Sequence, residues 1–124
     1  MAGSSATLHE SPEVLGSEAI DRHRAIVSVM EELEAIDWYD QRAIATGDDE
    51  LRAVLEHNRD DEKEHAAMAL EWLRRHDAFL DGQLRKYLFI DGSIAALEDA
   101  DDASDDDVES GSLGIGSLRA EVTS

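Results

Sequence analysis

Apolar residues recur at helical spacing through two long stretches of this chain, and a short polar break separates them. The first stretch, from Ile20 to Ile44, contains neither proline nor glycine and predicts one long helix. Ahead of it, Ser11-Pro12-Glu13 has the order of an N-cap, a first-turn proline and a dipole-favoured acid. Gly16 weakens anything begun there, and Ser17-Glu18 offers a second start. Thr46-Gly47-Asp48-Asp49 ends the helix: Gly47 suits a left-handed residue after the last turn, and Asp48 suits the cap of the next helix. Asp49 and Glu50 then sit where the new macrodipole favours negative charge. The second helix is expected from about Asp49 to His76, and so short a connection makes the pair an antiparallel hairpin. Phe79, Leu80, Leu84, Tyr87 and Leu88 read as a shorter third helix, weakened by Gly82 and ended near Gly92. The predicted class is all-α.

Composition divides the 124 residues into an arm (1–16), the helical part (17–90), a linker (91–110) and a terminal peptide (111–124). The linker holds nine acidic residues and no Lys or Arg, which predicts a solvated, disordered tether, although Ile94 to Leu97 can form one helical turn. Apolar residues return in Leu113, Ile115 and Leu118, so the terminal peptide is either a docking segment or a plain terminus. With 30 acidic and 11 basic side chains the formal charge is -19, which argues against nucleic acids and anionic membranes as partners. Only 5% of residues are aromatic, so the core is thin and aliphatic, and a homo-oligomer is expected. The absence of cysteine removes thiolate sites, leaving His, Asp and Glu as metal ligands. Neither a spanning segment nor a secretory signal is legible, and the expected location is the cytoplasm.

Candidate chemistry emerges where ionisable residues occupy positions the helical pattern reserves for apolar ones. In the first helix Ala25, Val29, Glu32, Ile36 and Tyr39 form one stripe; in the second, Leu51, Leu55, Asn58, Glu62, His65, Ala69 and Trp72 form another. Glu32, Glu62 and His65 interrupt these seams, and buried carboxylates must neutralise or find a cation. Glu62-Lys63-Glu64-His65 has the E-x-x-H spacing used in four-helix carboxylate-bridged proteins, where two helices give a Glu each and two give E-x-x-H. One hairpin holds half of that set, so two hairpins about a two-fold axis would complete a four-helix bundle with a dinuclear site at their interface. Oxygen and imidazole ligands without sulfur suit iron or manganese, with zinc or calcium as surrogates.

Other readings stand beside this one. Glu62 and His65 can face solvent in a hairpin whose core uses Ile26, Met30, Leu33, Ala66, Leu70 and Leu73. Tyr39, two turns from Glu32, is either a hydrogen-bonding or redox neighbour of the site or an interface tyrosine. Glu31 and Glu34, with Trp38 a turn on, are a solvated face or, in several copies, an acidic funnel for cations. His57 and Asp61 have i, i+4 spacing suited to an opportunistic surface metal or a solvated pair; His9, His23 and His76 find no convergent partner.

The runs from His23 to Tyr39, His57-Asn58-Arg59-Asp60, Glu62 to Ala66 and Leu70 to Arg75, with the terminal Ser112 to Arg119, resemble the encapsulated ferritins, ferroxidases carried inside encapsulin nanocompartments. The resemblance implies that Glu32, Glu62 and His65 are di-iron ligands shared by two chains, that Tyr39 sits behind them as a catalytic neighbour, and that Glu31, Glu34 and Trp38 form a metal access or transient site. It implies an annular decamer of five dimers that stores no iron itself, and a Leu113–Arg119 region that docks on the encapsulin shell. The expected activity is oxidation of Fe(II) by dioxygen inside that shell. The competing readings are a non-enzymatic adaptor tethered to a larger assembly and a metal buffer without turnover. The acidity of residues 91–109 fits a high-salt cytoplasm or an iron-attracting tether equally well.

Overall fold

The computed structural model describes residues 7–98. Helix α1 runs Pro12–Ala45, α2 runs Asp49–Arg75 and α3 runs Ala78–Tyr87, and the described residues include no strand. The chain divides after His76 into two compact units: the hairpin of α1 and α2, and the segment that carries α3.

Both anticipated starts of α1 are used. The Ser11 hydroxyl accepts from the Val14 N–H at 3.4 Å, and Pro12 fills the first turn. Gly16, at φ 81° and ψ 165°, then breaks the helical path before it resumes. At the far end the sequence-based expectation for Gly47 fails. It does not take a positive φ; the chain leaves α1 through an extended Thr46, whose N–H bonds the Arg42 carbonyl at 3.1 Å. The open carbonyls are satisfied instead by Arg52, which donates through Nε to the Ala43 carbonyl at 3.1 Å and through a second guanidinium nitrogen to Thr46. A cation at a helix C-terminus also suits the macrodipole. Asp48 caps α2 as expected, accepting from the Leu51 N–H at 2.8 Å.

Packing within the hairpin is sparse. Only Ala43 and Leu73 are fully buried hydrophobics among the described residues. The predicted stripe of α1 does face α2: Ala25, Val29, Glu32, Ile36 and Tyr39 are each half-buried and lead to Ala43. On α2 the covered face is broader than the predicted stripe and is displaced to one side of it. Leu55, Asn58, Glu62 and Ala69 of that stripe are covered together with Arg59, Ala66, Leu70 and Leu73, whereas Leu51, His65 and Trp72 are exposed. A straight helix drifts against a strict seven-residue repeat, which carries the later positions His65 and Trp72 outward. The alternative core stripe is divided likewise, since Ala66, Leu70 and Leu73 are covered whereas Ile26, Met30 and Leu33 are exposed.

In the second unit Asp77 caps α3, accepting from Leu80 N–H at 3.0 Å, and an Arg85–Asp81 pair at 3.0 Å spans one turn. Gly82 is accommodated inside the helix. The helix stops earlier than Gly92, because Leu88 is extended and Phe89 has φ 62°. Residues 94–98 form the anticipated helical turn, with Ser93 Oγ accepting from the Ala96 N–H at 3.3 Å. The remainder of the acidic linker and the terminal peptide lie outside the described residues.

Candidate metal centre

Helix α1 presents Glu32 toward α2, and α2 presents Glu62 and His65 one turn apart on the side nearest Glu32. Each of the three offers one ligand atom, and these atoms lie within 4.8 Å of one another. Among the described residues this is the group of three or more such side chains that could hold a cation. The glutamates are sheltered, with about a quarter of each side chain exposed, whereas His65 is half exposed. His65 Nδ1 lies 3.1 Å from Glu62 Oε1 and 3.9 Å from Glu32 Oε1.

The protonation states express the crowding. Glu32 is held above the ordinary carboxylate range, first by its hydrogen bond with Glu62 and then by partial desolvation. Glu62 is held below that range by accepting from Glu32 and His65, and His65 is raised, first by its bond to Glu62. The crowding thus pushes the two carboxyl groups in opposite directions beside an imidazole that favours its proton. A divalent cation would compete with protons for these groups, and hard oxygen donors with one imidazole suit iron, manganese or zinc.

The remaining candidates do not join this cluster within one chain. Tyr39, half-buried two turns along α1, has the Arg42 guanidinium 5.4 Å from its ring centroid. Glu31 and Trp38 are exposed and Glu34 is half-buried. His57 and Asp61 do pair, Nε2 to Oδ2 at 3.2 Å, but gather no third ligand. His76 stacks on Trp72 with ring centroids 3.8 Å apart, and its Nδ1 donates to the Trp72 carbonyl at 2.8 Å.

Sequence reasoning gave no part to Arg59 in the geometry of the hairpin. It lies three residues before Glu62, with 21% of its side chain exposed, and crosses to α1 to bond Asp40 Oδ1 at 2.9 Å. Its Nε donates to Asp60 at 3.0 Å. A long side chain bonding a residue 19 positions away leaves no local signature.

A helical hairpin that brings two carboxylates and an imidazole to one point has the helix arrangement and the ligand types of a ferritin-like half-bundle. The EncFtn-like family model matches residues 7–91, and the chain belongs to that family. It is 58% identical to the encapsulated ferritin-like protein of Rhodospirillum rubrum over 98% of this chain and 94% of that one. It is 46% identical to a ferritin-like protein of Thermotoga maritima, covering 89% of this chain and 96% of that one. A crystal structure of a Nitrosomonas europaea protein superposes with a TM-score of 0.69 at 55% identity, covering 71% of this chain and 97% of that one.

Proposed function

We propose that this protein is a ferroxidase that oxidises Fe(II) to Fe(III) with dioxygen at a di-iron site formed between two copies of the chain. The observation that carries the reading is the convergence of Glu32, Glu62 and His65 on one point of the hairpin. Relatives called encapsulated ferritin-like and ferritin-like support an iron-handling role.

Iron is the substrate here. Each Fe(II) gives up one electron, and two neighbouring ions supply the pair that takes dioxygen to the peroxide level. One hairpin supplies two carboxylates and one imidazole, too few for two ions, and a second copy doubles the set. Glu62, the carboxylate of the E-x-x-H pair, is the one we assign to bridging, since an ionised carboxylate offers two oxygens. Glu32 and His65 complete each ion from either side. To ligate Fe(II), Glu32 and Glu62 must be ionised and His65 must present a neutral nitrogen. Tyr39, with its phenol on the same face of α1, serves as a neighbour of the site; Glu31, Glu34 and Trp38 form a path along which cations approach. Calcium, manganese or zinc would occupy the same oxygen-rich positions without turnover.

The terminal peptide, including Leu113, Ile115 and Leu118, is the segment we assign to docking on an encapsulin shell, where the released Fe(III) is mineralised. The proposed assembly is a decamer of five dimers. No helix of the described residues is long and apolar enough to cross a membrane.

The test is anaerobic addition of Fe(II) to metal-free protein followed by air, with near-ultraviolet absorbance and subunit mass followed together. Uptake near one iron per chain with rapid oxidation is the expected result; binding without oxidation would leave a metal buffer, and no binding would leave the adaptor. Glu32→Ala, Glu62→Ala and His65→Ala should each lower the oxidation rate by about 100-fold while circular dichroism stays helical. Full activity in all three would overturn the site.

A further inference from the structure

Glu32 belongs to α1 whereas Glu62 and His65 belong to α2, so their meeting depends on the register of one helix against the other. Packing fixes that register weakly, because full burial is confined to Ala43 and Leu73 among the described hydrophobics. A slide by one residue moves a helical position by about 1.5 Å along the axis and about 100° around it, enough to separate ligands gathered within 4.8 Å. Polar ties across the hairpin therefore carry unusual weight.

Arg52 ties the turn by bonding the Ala43 and Thr46 carbonyls, but those bonds lie at the far end of α1. Between the turn and the carboxylates stands Arg59, which lies one turn before Glu62 and reaches Asp40 on the opposite helix at 2.9 Å. Its guanidinium is held from a second direction by Asp60, and Asp60 in turn receives Lys63 Nζ at 3.2 Å. The fork thus bonds a fixed point on α1 while its own orientation on α2 is pinned. A planar guanidinium can hold two carboxylates at once in defined directions, which a lysine ammonium cannot do with the same geometry. At 21% exposure Arg59 is also better sheltered than most charged pairs of this chain.

From this geometry we infer that Arg59 is a positioning residue: its bond to Asp40 sets the helix register in which Glu32 meets Glu62 and His65. The inference rests on the metal-binding reading of that cluster, and its test separates the two. Because the chain lacks cysteine, Asp37→Cys and Ala67→Cys place nitroxide labels on exposed positions of α1 and α2. Labelled chain diluted into unlabelled chain then gives the inter-helix distance by pulsed electron resonance. Co(II), followed by its visible absorption, reports the ligand set without requiring oxidation.

Arg59→Gln and Asp40→Asn should each weaken Co(II) binding about tenfold and alter its spectrum. Both should shift or broaden the label distance, and the double variant should be no weaker than either single one, as expected of partners in one interaction. Asp60→Asn, which weakens a bond internal to α2 and leaves the one across the hairpin, should have a smaller effect than Asp40→Asn. If Arg59→Gln fails to fold, Arg59→Lys takes its place with the same expected direction. Parent-like Co(II) affinity and label distance in the Arg59 variant would overturn the inference, as would an Asp60→Asn effect equal to that of Asp40→Asn. Should the parent chain bind no Co(II), the metal reading falls; an unshifted label distance in Arg59→Gln would then overturn the register role as well, and a shifted one would uphold it.

Discussion

At the scale of single residues, some acidic side chains of this protein are held by a specific neighbour, and Glu71 is the clearest of them. Arg74 donates to it through two nitrogens at 2.8 Å each, Arg75 donates at 2.6 Å, and together they bring its carboxyl down to about 2. A carboxyl that is more acidic in the folded chain than in the unfolded one stabilises the fold most fully above its ordinary value of 4.5, and that contribution disappears as pH falls toward 2. The side chain is 42% exposed, so salt screens the effect. The expected outcome is a loss of thermal stability between those two pH values that is shallower in Glu71→Gln, and shallower for both at high salt. Melting curves across that range check it, and identical slopes would remove Glu71 as a source of acid sensitivity. The same scale shows what a sequence can reveal. Glu62 and His65 were legible because both the E-x-x-H spacing and the apolar pattern pointed to one face, and Glu32 because it interrupts an apolar stripe. Arg52 and Arg59 were not, since their partners lie 9 and 19 positions away and include backbone carbonyls, which no residue type announces.

Among the elements, helix ends separate legible from illegible structure. Ser11 and Asp48 cap as their residue types and neighbours predict, and Asp77 caps α3 in the same way, because a side-chain acceptor before an open turn has a strong local use. Glycine is harder to read, since it permits a left-handed backbone without requiring one. Gly47 looked like the left-handed residue after α1, yet Arg52 satisfies the free carbonyls from across the turn and the left-handed residue is not needed. Gly16 does take a positive φ, 81°, near the start of α1. The two glycines therefore respond oppositely to substitution. A Cβ at either meets nothing within 4 Å, so backbone conformation alone decides. Gly16→Ala should destabilise by more than about 1 kcal/mol, whereas Gly47→Ala should be neutral or stabilise by about 0.5 kcal/mol. Urea unfolding of the two variants checks the pair, and a stabilising Gly16→Ala would mean that α1 is continuous through that position. The displaced face of α2 belongs to this scale too. Counting in sevens placed Trp72 and His65 on the seam, but the 3.6-residue helix carries them to its edge, where a second chain can reach them.

The hairpin has too little interior. Beyond Ala43 and Leu73, large side chains such as Met68 at 65% and Val54 at 52% stand open, an exposure uncommon in a lone soluble domain. His65, half exposed at the edge of α2, puts the candidate metal site on this open surface. Covering apolar area and completing the ligand set are therefore one event in the proposed dimer, and cation binding and association must favour each other. Charge opposes association, because every copy adds -19 to the assembly, while the same charge draws cations in. Salt weakens that repulsion over a Debye length of about 10 Å at 0.1 M, whereas a divalent cation acts directly at the carboxylates that face the partner. Metal-free protein at low ionic strength should be smallest, and its mass should rise with added salt and, at much lower concentration, with Fe(II) or a redox-inert divalent ion. Removing Glu32 and Glu62 separates the contributions: the double Glu→Ala variant should keep the salt response and lose the metal response. Native mass measurements on metal-free protein across ionic strengths decide the matter. A mass that never changes would show that apolar contact alone sets the assembly, leaving the metal site to be completed inside a preformed oligomer.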